Sequence, residues 1–470
     1  MQQIIVIGGG LSGLATAYQI QQQAKAQDLL VKVTVLEKES RVGGKIWSRS
    51  ESGYLCEWGP NGFLTNKPQT LDLCQSLGIT EQLLSSNDNA RKRFVFSRHK
   101  LHKLPHTQVE FLSNSLISFK GKLRIAAEYF VPQRRITEDE TLADFTRRRL
   151  GQEALDKLIA PMAGGIFAGD PERMSLQACF PRIYQLEQEH GGLLKAMLHL
   201  KKEKAKEKKS GGVESGPAGP GGILTSFAAG IEELIIALSV AVGIENIIQT
   251  SAVEKVVVNS DGSWQVITAN QSYCADRVVC ATPAFASASM LNSLDASLAT
   301  KLRQINYSPL VVACLGYAAN KIQYDLNGFG YLFARGEEQH ILGTLWDSSI
   351  FAKRAPDGKV LFRSMLGGAS HPQVMGFDDQ QIQQFVESSL ATTMGIQVTP
   401  EFVQIYRHTQ AIPEYRLGHK NLVTEIMCQT NQHAGLFLTG NAYFGVGIND
   451  CIAAAFTTAQ NVLASPKNNN

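Results

Sequence analysis

The chain has 470 residues, 44% of them apolar and 19% charged, which is enough for two or three cores and unlike a disordered or fibrous composition. Its formal charge is only +3, yet residues 91–210 hold 24 Lys and Arg against 14 Asp and Glu, so an acidic frame surrounds a basic middle. No run reaches the roughly 18 uncharged apolar residues of a spanning helix, strand-like sequence from Ile4 leaves no room for a secretory leader, and eight dispersed cysteines without metal spacing read as reduced core residues of a cytoplasmic protein.

Ile4 to Ile7 are apolar on both faces, as in a strand buried within a parallel sheet. Gly8, Gly9 and Gly10 then turn the chain into a helical pattern that begins at Leu11 and Ser12. Gly8, Gly10 and Gly13 stand at G-x-G-x-x-G spacing: the first for the tight turn, the second for close approach of a pyrophosphate, the third for helix–strand packing. The helix N-terminus offers free N–H groups to the phosphates. A second strand from Val31 ends at Glu37, placed to accept from ribose hydroxyls; an acid there disfavours a 2′-phosphate and leaves FAD or NAD. Two further glycine stretches favour FAD. "ESRVGGKIWS" brings Gly44 and the basic Arg41 and Lys45, and "EWGPNGF" places a second tight turn at Gly59, Pro60, Asn61 and Gly62. A nicotinamide enzyme needs neither.

Residues 91–210 show helical spacing and few strand signals, and their basic excess suits a carboxylate-bearing substrate or an acidic membrane surface. "KKEKAKEKKSGGVESGPAGPGG", from Lys201 to Gly222, reads as an exposed connection. Residues 300–410 read as a mainly antiparallel sheet. The closing "GLFLTGNAYFGVGINDCI" is again strand, glycine-rich turn and helix. A helix beginning near Val446 aims its positive end at the flavin N1–C2=O region, so the first and last strands are expected to meet at one cofactor.

With "GGGLSGL", "LEKESRVGGK", "GPNGF" and "LTGNAYFGVGINDCI", the chain resembles the flavin-dependent amine oxidase and phytoene desaturase superfamily. "PMAGGIFAGDPERMSLQACFP", "NGFGYLF" and "IPEYRLGH" resemble the protoporphyrinogen and coproporphyrinogen III oxidases of haem synthesis, in overall pattern the Bacillus-type enzymes. The resemblance implies an α/β fold: a Rossmann-like FAD domain (1–68, 222–280 and 411–470), a mixed-sheet substrate domain (69–95, 210–221 and 281–410) and an α-helical, membrane-associating domain (96–209). It implies six-electron oxidation of coproporphyrinogen III by O2 with H2O2 as product. The alternatives are protoporphyrinogen IX oxidase, a flavin amine oxidase, or a porphyrin-binding flavoprotein without turnover.

Carried across residue by residue, the resemblance implies flavin contacts at Gly8 to Gly13, Glu37, Lys38, Gly44, Lys45, Gly59 to Gly62, Val253, Val446, Gly447 and Ile448, with His408 where the family usually holds tryptophan. It implies a substrate cavity lined by Gly165, Ile166, Phe329, Gly330, Leu332 and Met365, with Lys67 and Arg93 as propionate anchors and the Gly165 carbonyl orienting a pyrrole N–H. Implied partners are the porphyrinogen, O2, a membrane touched peripherally and, transiently, the next enzyme of haem synthesis. No metal and no nucleic acid enters this reading.

Overall fold

A computed structural model describes residues 1–134, 138–209, 222–337 and 340–465. Much of the expected connection, residues 210–221, and the polar tail from 466 lie outside the described residues. The strands of the two main sheets are, in chain order, β1 (Gln2–Ile7), β2 (Val31–Leu36), β3 (Arg93–Ser97), β4 (Lys100–Lys103), β5 (Ile247–Ile248), β6 (Arg277–Cys280), β7 (Tyr307–Ala318), β8 (Gly330–Phe333), β9 (Ile341–Leu345), β10 (Lys359–Gly367), β11 (Phe402–Pro413) and β12 (Leu436–Leu438). Three helices matter most for the site: α1 (Leu11–Ala26), α2 (Ala160–Phe167) and α3 (Ile448–Ala464).

The first sheet is wholly parallel, in the order β5-β2-β1-β6-β12. Its central strand explains the continuous apolar run. Ile4 and Val6 enter a core shared with Leu14 and Tyr18 of α1 and Ala455 and Ala459 of α3. Ile5 and Ile7 enter a second core with Val256, Trp264 and Val266, which lie on a separate antiparallel sheet. Both faces of the strand are therefore buried, as a parallel sheet requires.

The second sheet has the order β11-β7-β10-β9-β8-β3-β4 and is antiparallel except between β8 and β3. One face packs on the helix Asp379–Met394 through Val311, Ala313, Tyr331, Phe362, Ile382, Val386 and Leu390. The other is left for the site.

Two expectations change. β3 and β4 lie inside the segment read as helical, so the sheet continues to Lys103 and the helical region starts beyond it; the signal was masked because β4, "KLHK", is short and basic. The first and last strands lie in the same sheet with β6 between them. The ends of the chain also meet through α1 and α3, whose small residues allow close packing. Cys274 and Cys428 are exposed, against five fully buried cysteines, so not every thiol is a core residue.

Three consecutive arginines of the basic segment are paired within the fold. Arg149 is fully buried and pairs with Glu128 at 3.1 Å and Glu187 at 2.8 Å. Arg148 pairs with Glu140 and Glu187 at 2.6 and 2.8 Å, and Arg147 donates to Glu172 at 2.8 Å. These charges hold the helices Leu142–Arg149 and Pro181–His190 to each other rather than forming an open patch. Among the described residues, no helix is long and apolar enough to cross a membrane.

Candidate functional site

The N-terminal turn forms a bare backbone cleft. Gly8 adopts φ +105°, and a Cβ on Gly13 would stand 1.8 Å from the Gly8 carbonyl oxygen. Only glycine lets helix and strand approach this closely. Gly10 caps α1 without a side chain, and the first intrahelical bond runs from Leu14 N–H to Gly10 at 3.0 Å. The N–H groups of Leu11, Ser12 and Gly13 thus have no backbone acceptor among the described residues, and no acid occupies the first turn. The "RVGGK" loop lies beside this turn: Gly43 N–H donates to Gly9 at 2.8 Å, and a Cβ on Gly44 would be 3.4 Å from Gly10 Cα.

Glu37, only 6% exposed, accepts from Gly9 N–H at 2.7 Å and Glu39 N–H at 2.9 Å. A carboxylate has about four lone-pair sites, so two remain for another donor. Its carbonyl also accepts from Ser251 N–H at 2.8 Å, which draws the segment leading to Val253 alongside. Lys38 points to the surface and pairs with Glu39 at 3.1 Å.

The 57–62 turn presses onto this cleft. A Cβ on Gly59 would stand 2.3 Å from the Lys45 carbonyl, and one on Gly62 would stand 2.4 Å from that of Thr225; Pro60 faces outward. The Lys45 ammonium donates to the Ala411 carbonyl and sits 5.2 Å from the Tyr307 ring centre, where burial pulls its pKa down to about 8. The His408 Nε2 lies 3.1 Å from the Trp58 carbonyl, and burial lowers its pKa, so the imidazole braces this turn in its neutral form. Asn61 Nδ2 and Trp58 Nε1 are buried with no hydrogen-bond partner among the described residues. A glycine cradle, free helix N–H groups, spare carboxylate lone pairs and orphan buried donors fit a dinucleotide with a polar ring system, as FAD is.

The closing segment reaches the same place. Gly440 lies close enough to α1 that a Cβ there would be 3.8 Å from Ser12 Oγ. Gly447 is the N-cap of α3 and Ile448 its first residue, while Val446 packs against the buried cluster that includes Phe167 of α2. Asp450 accepts from Gly447 N–H at 3.2 Å and holds the Lys67 ammonium. The positive end of α3 is thus partly offset by its own first-turn acid, and Lys67 is a paired cation rather than a free one.

Strand register gathers the expected substrate residues. Arg93 is opposite Gly330, Leu332 opposite Gly343, and Gly343 opposite Met365, so these residues share the sheet face away from the helix Asp379–Met394. Phe329 and Met365 pack against one cluster with Leu345 and Phe351. Arg93 lies over Phe329, with its guanidinium carbon 4.9 Å from the ring centre and no carboxylate partner among the described residues. Gly165 in α2 closes on the same wall: a Cβ there would be 2.9 Å from Leu332 Cδ2. No described donor reaches the Gly165 carbonyl, which lies in the last turn of α2. Ile166 beside it is 51% exposed.

Sequence reasoning missed a buried charge quartet beneath the 57–62 turn. Arg363 Nε lies 2.9 Å from Asp347 Oδ2 and its Nη1 donates to the Gly59 carbonyl at 2.7 Å. Arg354 lies 3.4 Å from Glu57 and donates to Ser226 Oγ at 3.0 Å. All four are nearly inaccessible to water, and burial pushes the Glu57 and Asp347 carboxyls upward. The available signal was one arginine inside the apolar run "VLFRSMLGG".

The family model for flavin-containing amine oxidoreductases matches residues 11–463. The chain is 30% identical to the coproporphyrinogen III oxidase of Bacillus subtilis (strain 168), over 96% of this chain and 95% of that one. It is 30% identical to the chloroplastic protoporphyrinogen oxidase 1 of Spinacia oleracea, over 98% of this chain and 84% of that one. A solved structure from Exiguobacterium sp. 255-15 superposes with a TM-score of 0.83 at 25% identity, covering 98% of both chains. The chain belongs to the flavin-containing amine oxidoreductases, in the group that holds the coproporphyrinogen III and protoporphyrinogen oxidases, and is an FAD-dependent oxidoreductase.

Proposed function

We propose that the protein oxidises coproporphyrinogen III to coproporphyrin III, with O2 as acceptor and H2O2 as product, in haem biosynthesis. The observation that carries this reading is the sheet face on which an unpaired Arg93 borders an apolar wall of Phe329, Leu332 and Met365. A porphyrinogen is a largely apolar macrocycle with anionic carboxylates, and such a ligand needs a greasy wall with few basic anchors. Bound FAD supplies two-electron acceptance from a methylene bridge, three times per macrocycle, and passes the electrons to O2.

The chain's own residues bind and orient. Gly8 to Gly13 and Gly44 hold the pyrophosphate against the α1 N–H groups. Glu37 takes the ribose hydroxyls and Val253 the adenine. Lys45, His408, the Gly59–Gly62 turn and the Val446–Ile448 loop hold the ring. Arg93 pairs with a propionate, and Leu332 against Gly165 fixes the plane of the macrocycle. The Gly165 carbonyl, free of other donors, accepts from a pyrrole N–H. The domain division follows these roles: one unit for FAD, one sheet for substrate, and one helical unit.

Aerobic incubation with each porphyrinogen in turn, read by porphyrin fluorescence, tests the assignment. Faster turnover of coproporphyrinogen III supports it. Faster turnover of protoporphyrinogen IX assigns the two-propionate substrate instead. Arg93→Ala should raise KM for the tetracarboxylate about tenfold with kcat nearly unchanged, the pattern of a lost uniform binding contact worth about 1.4 kcal/mol. An unchanged KM would place Arg93 outside the site.

The partner reading concerns a lipid surface. Phe119 and Leu123 stand one turn apart on one helix, 75% and 55% exposed, and Phe130 just beyond is 82% exposed, with Lys120 beside them. Apolar tips flanked by lysine suit peripheral contact with an anionic membrane. Sedimentation with anionic vesicles should fall at least tenfold on Phe119→Asp with Leu123→Asp, and equal sedimentation of both proteins would remove the contact.

A further inference from the structure

The motif "IPEYRLGH" does nothing in the reading above, yet its tyrosine sits between the two halves of the site. The Tyr415 hydroxyl donates to the Asn441 carbonyl at 2.7 Å and accepts from the Gly445 N–H at 2.8 Å. One phenol therefore clamps both ends of the turn that runs into Gly447 and α3. Its backbone is fastened elsewhere: the Tyr415 carbonyl accepts from Ser175 N–H at 2.8 Å, and Leu417 N–H donates to Arg173 at 2.9 Å. The ring stacks on His419 at 4.0 Å and 14° and lies 6.4 Å from Phe167 of α2. Phe167 belongs to the buried cluster against which Val446 packs. His419 is itself 4% exposed, and Gly418 N–H donates to Asp139 at 3.0 Å. The residue thus links the helix that carries Gly165 to the loop that meets the flavin.

We propose that Tyr415 is a positioning residue whose hydroxyl fixes the 441–447 backbone, and through it the first turn of α3 with its Ile448 N–H, against the flavin ring. It touches neither substrate nor flavin. The proposal rests on the FAD site and not on which porphyrinogen is used. N–H groups aimed at the ring favour the reduced, more negative flavin over the oxidised one, so loosening them lowers the reduction potential.

Tyr415→Phe keeps the ring stacking and removes both hydrogen bonds. Two substrate-free measurements read the result: FAD affinity by flavin fluorescence on reconstituting apoprotein, and the flavin midpoint potential by dye equilibration. The expected outcome is a tenfold selective loss of affinity for reduced over oxidised flavin, which is a midpoint lowered by about 30 mV for a two-electron couple. With any porphyrinogen that is turned over, kcat should fall while KM stays the same. An unchanged potential and flavin spectrum in a folded Tyr415→Phe protein would overturn the proposal, whatever the substrate assay shows. If that variant does not fold, amide hydrogen exchange of the unaltered holoenzyme decides: Gly445 N–H should exchange at least 100-fold slower than an open amide, and free exchange would sink the idea.

Discussion

Gly13→Ala is expected to yield a colourless protein that does not take up FAD on reconstitution. The added methyl would stand 1.8 Å from the Gly8 carbonyl oxygen, well inside any tolerated contact. The neighbour is backbone at the end of the central strand, so no rotamer change relieves it. Either α1 lifts from β1 or the turn opens, and both destroy the row of N–H groups proposed to hold the pyrophosphate. Gly44→Ala is the graded comparison, since its Cβ would meet Gly10 Cα at 3.4 Å, although Gly44 also adopts φ +59°. It should weaken FAD binding by about tenfold, near the 1–2 kcal/mol of a strained residue. Flavin absorbance after desalting checks both, and full flavin retention by Gly13→Ala would refute the cradle.

Arg363→Met is expected to destabilise the protein severely, by about 3–5 kcal/mol, because it strands the Asp347 carboxylate in a site with almost no water. It also releases the Gly59 carbonyl, so the flavin turn should loosen before the protein unfolds. The double variant Arg363→Met with Asp347→Leu removes both charges and should recover much of the loss, since paired apolar replacements are often near neutral. Urea midpoints of the unaltered protein, Arg363→Met, Asp347→Leu and the double variant give the coupling. Additive losses in the cycle would mean the two side chains do not act as a pair.

The FAD half was legible in the sequence because its constraints are local. A strand, three glycines, a helix and an acid at fixed spacing leave little else for Gly8 to Glu37 to be, and the structure places them as the spacing demands. The proposed substrate wall was not legible from spacing, because Arg93, Phe329, Gly330, Leu332 and Met365 meet only through the register of β3, β8, β9 and β10. Those residues were reached by resemblance alone. The internal pairing of the basic middle was hidden for a related reason: spacing does not show that Glu128, Glu140, Glu172 and Glu187 fold back onto Arg147, Arg148 and Arg149. Lys67 shows the same limit, since its partner Asp450 is nearly the whole chain away. β4 was lost because four residues, two of them lysines, carry no strand signature.

The central claim is that a porphyrinogen is oxidised at the FAD held between the two ends of this chain. Anaerobic titration of the purified holoenzyme with coproporphyrinogen III tests it most directly, with flavin absorption and porphyrin fluorescence followed together. The account predicts that the flavin bleaches fully, with three flavins bleached for each coproporphyrin formed, and that admitting O2 restores the colour. Porphyrin formation with the flavin unbleached, or no bleaching by either porphyrinogen, would contradict it.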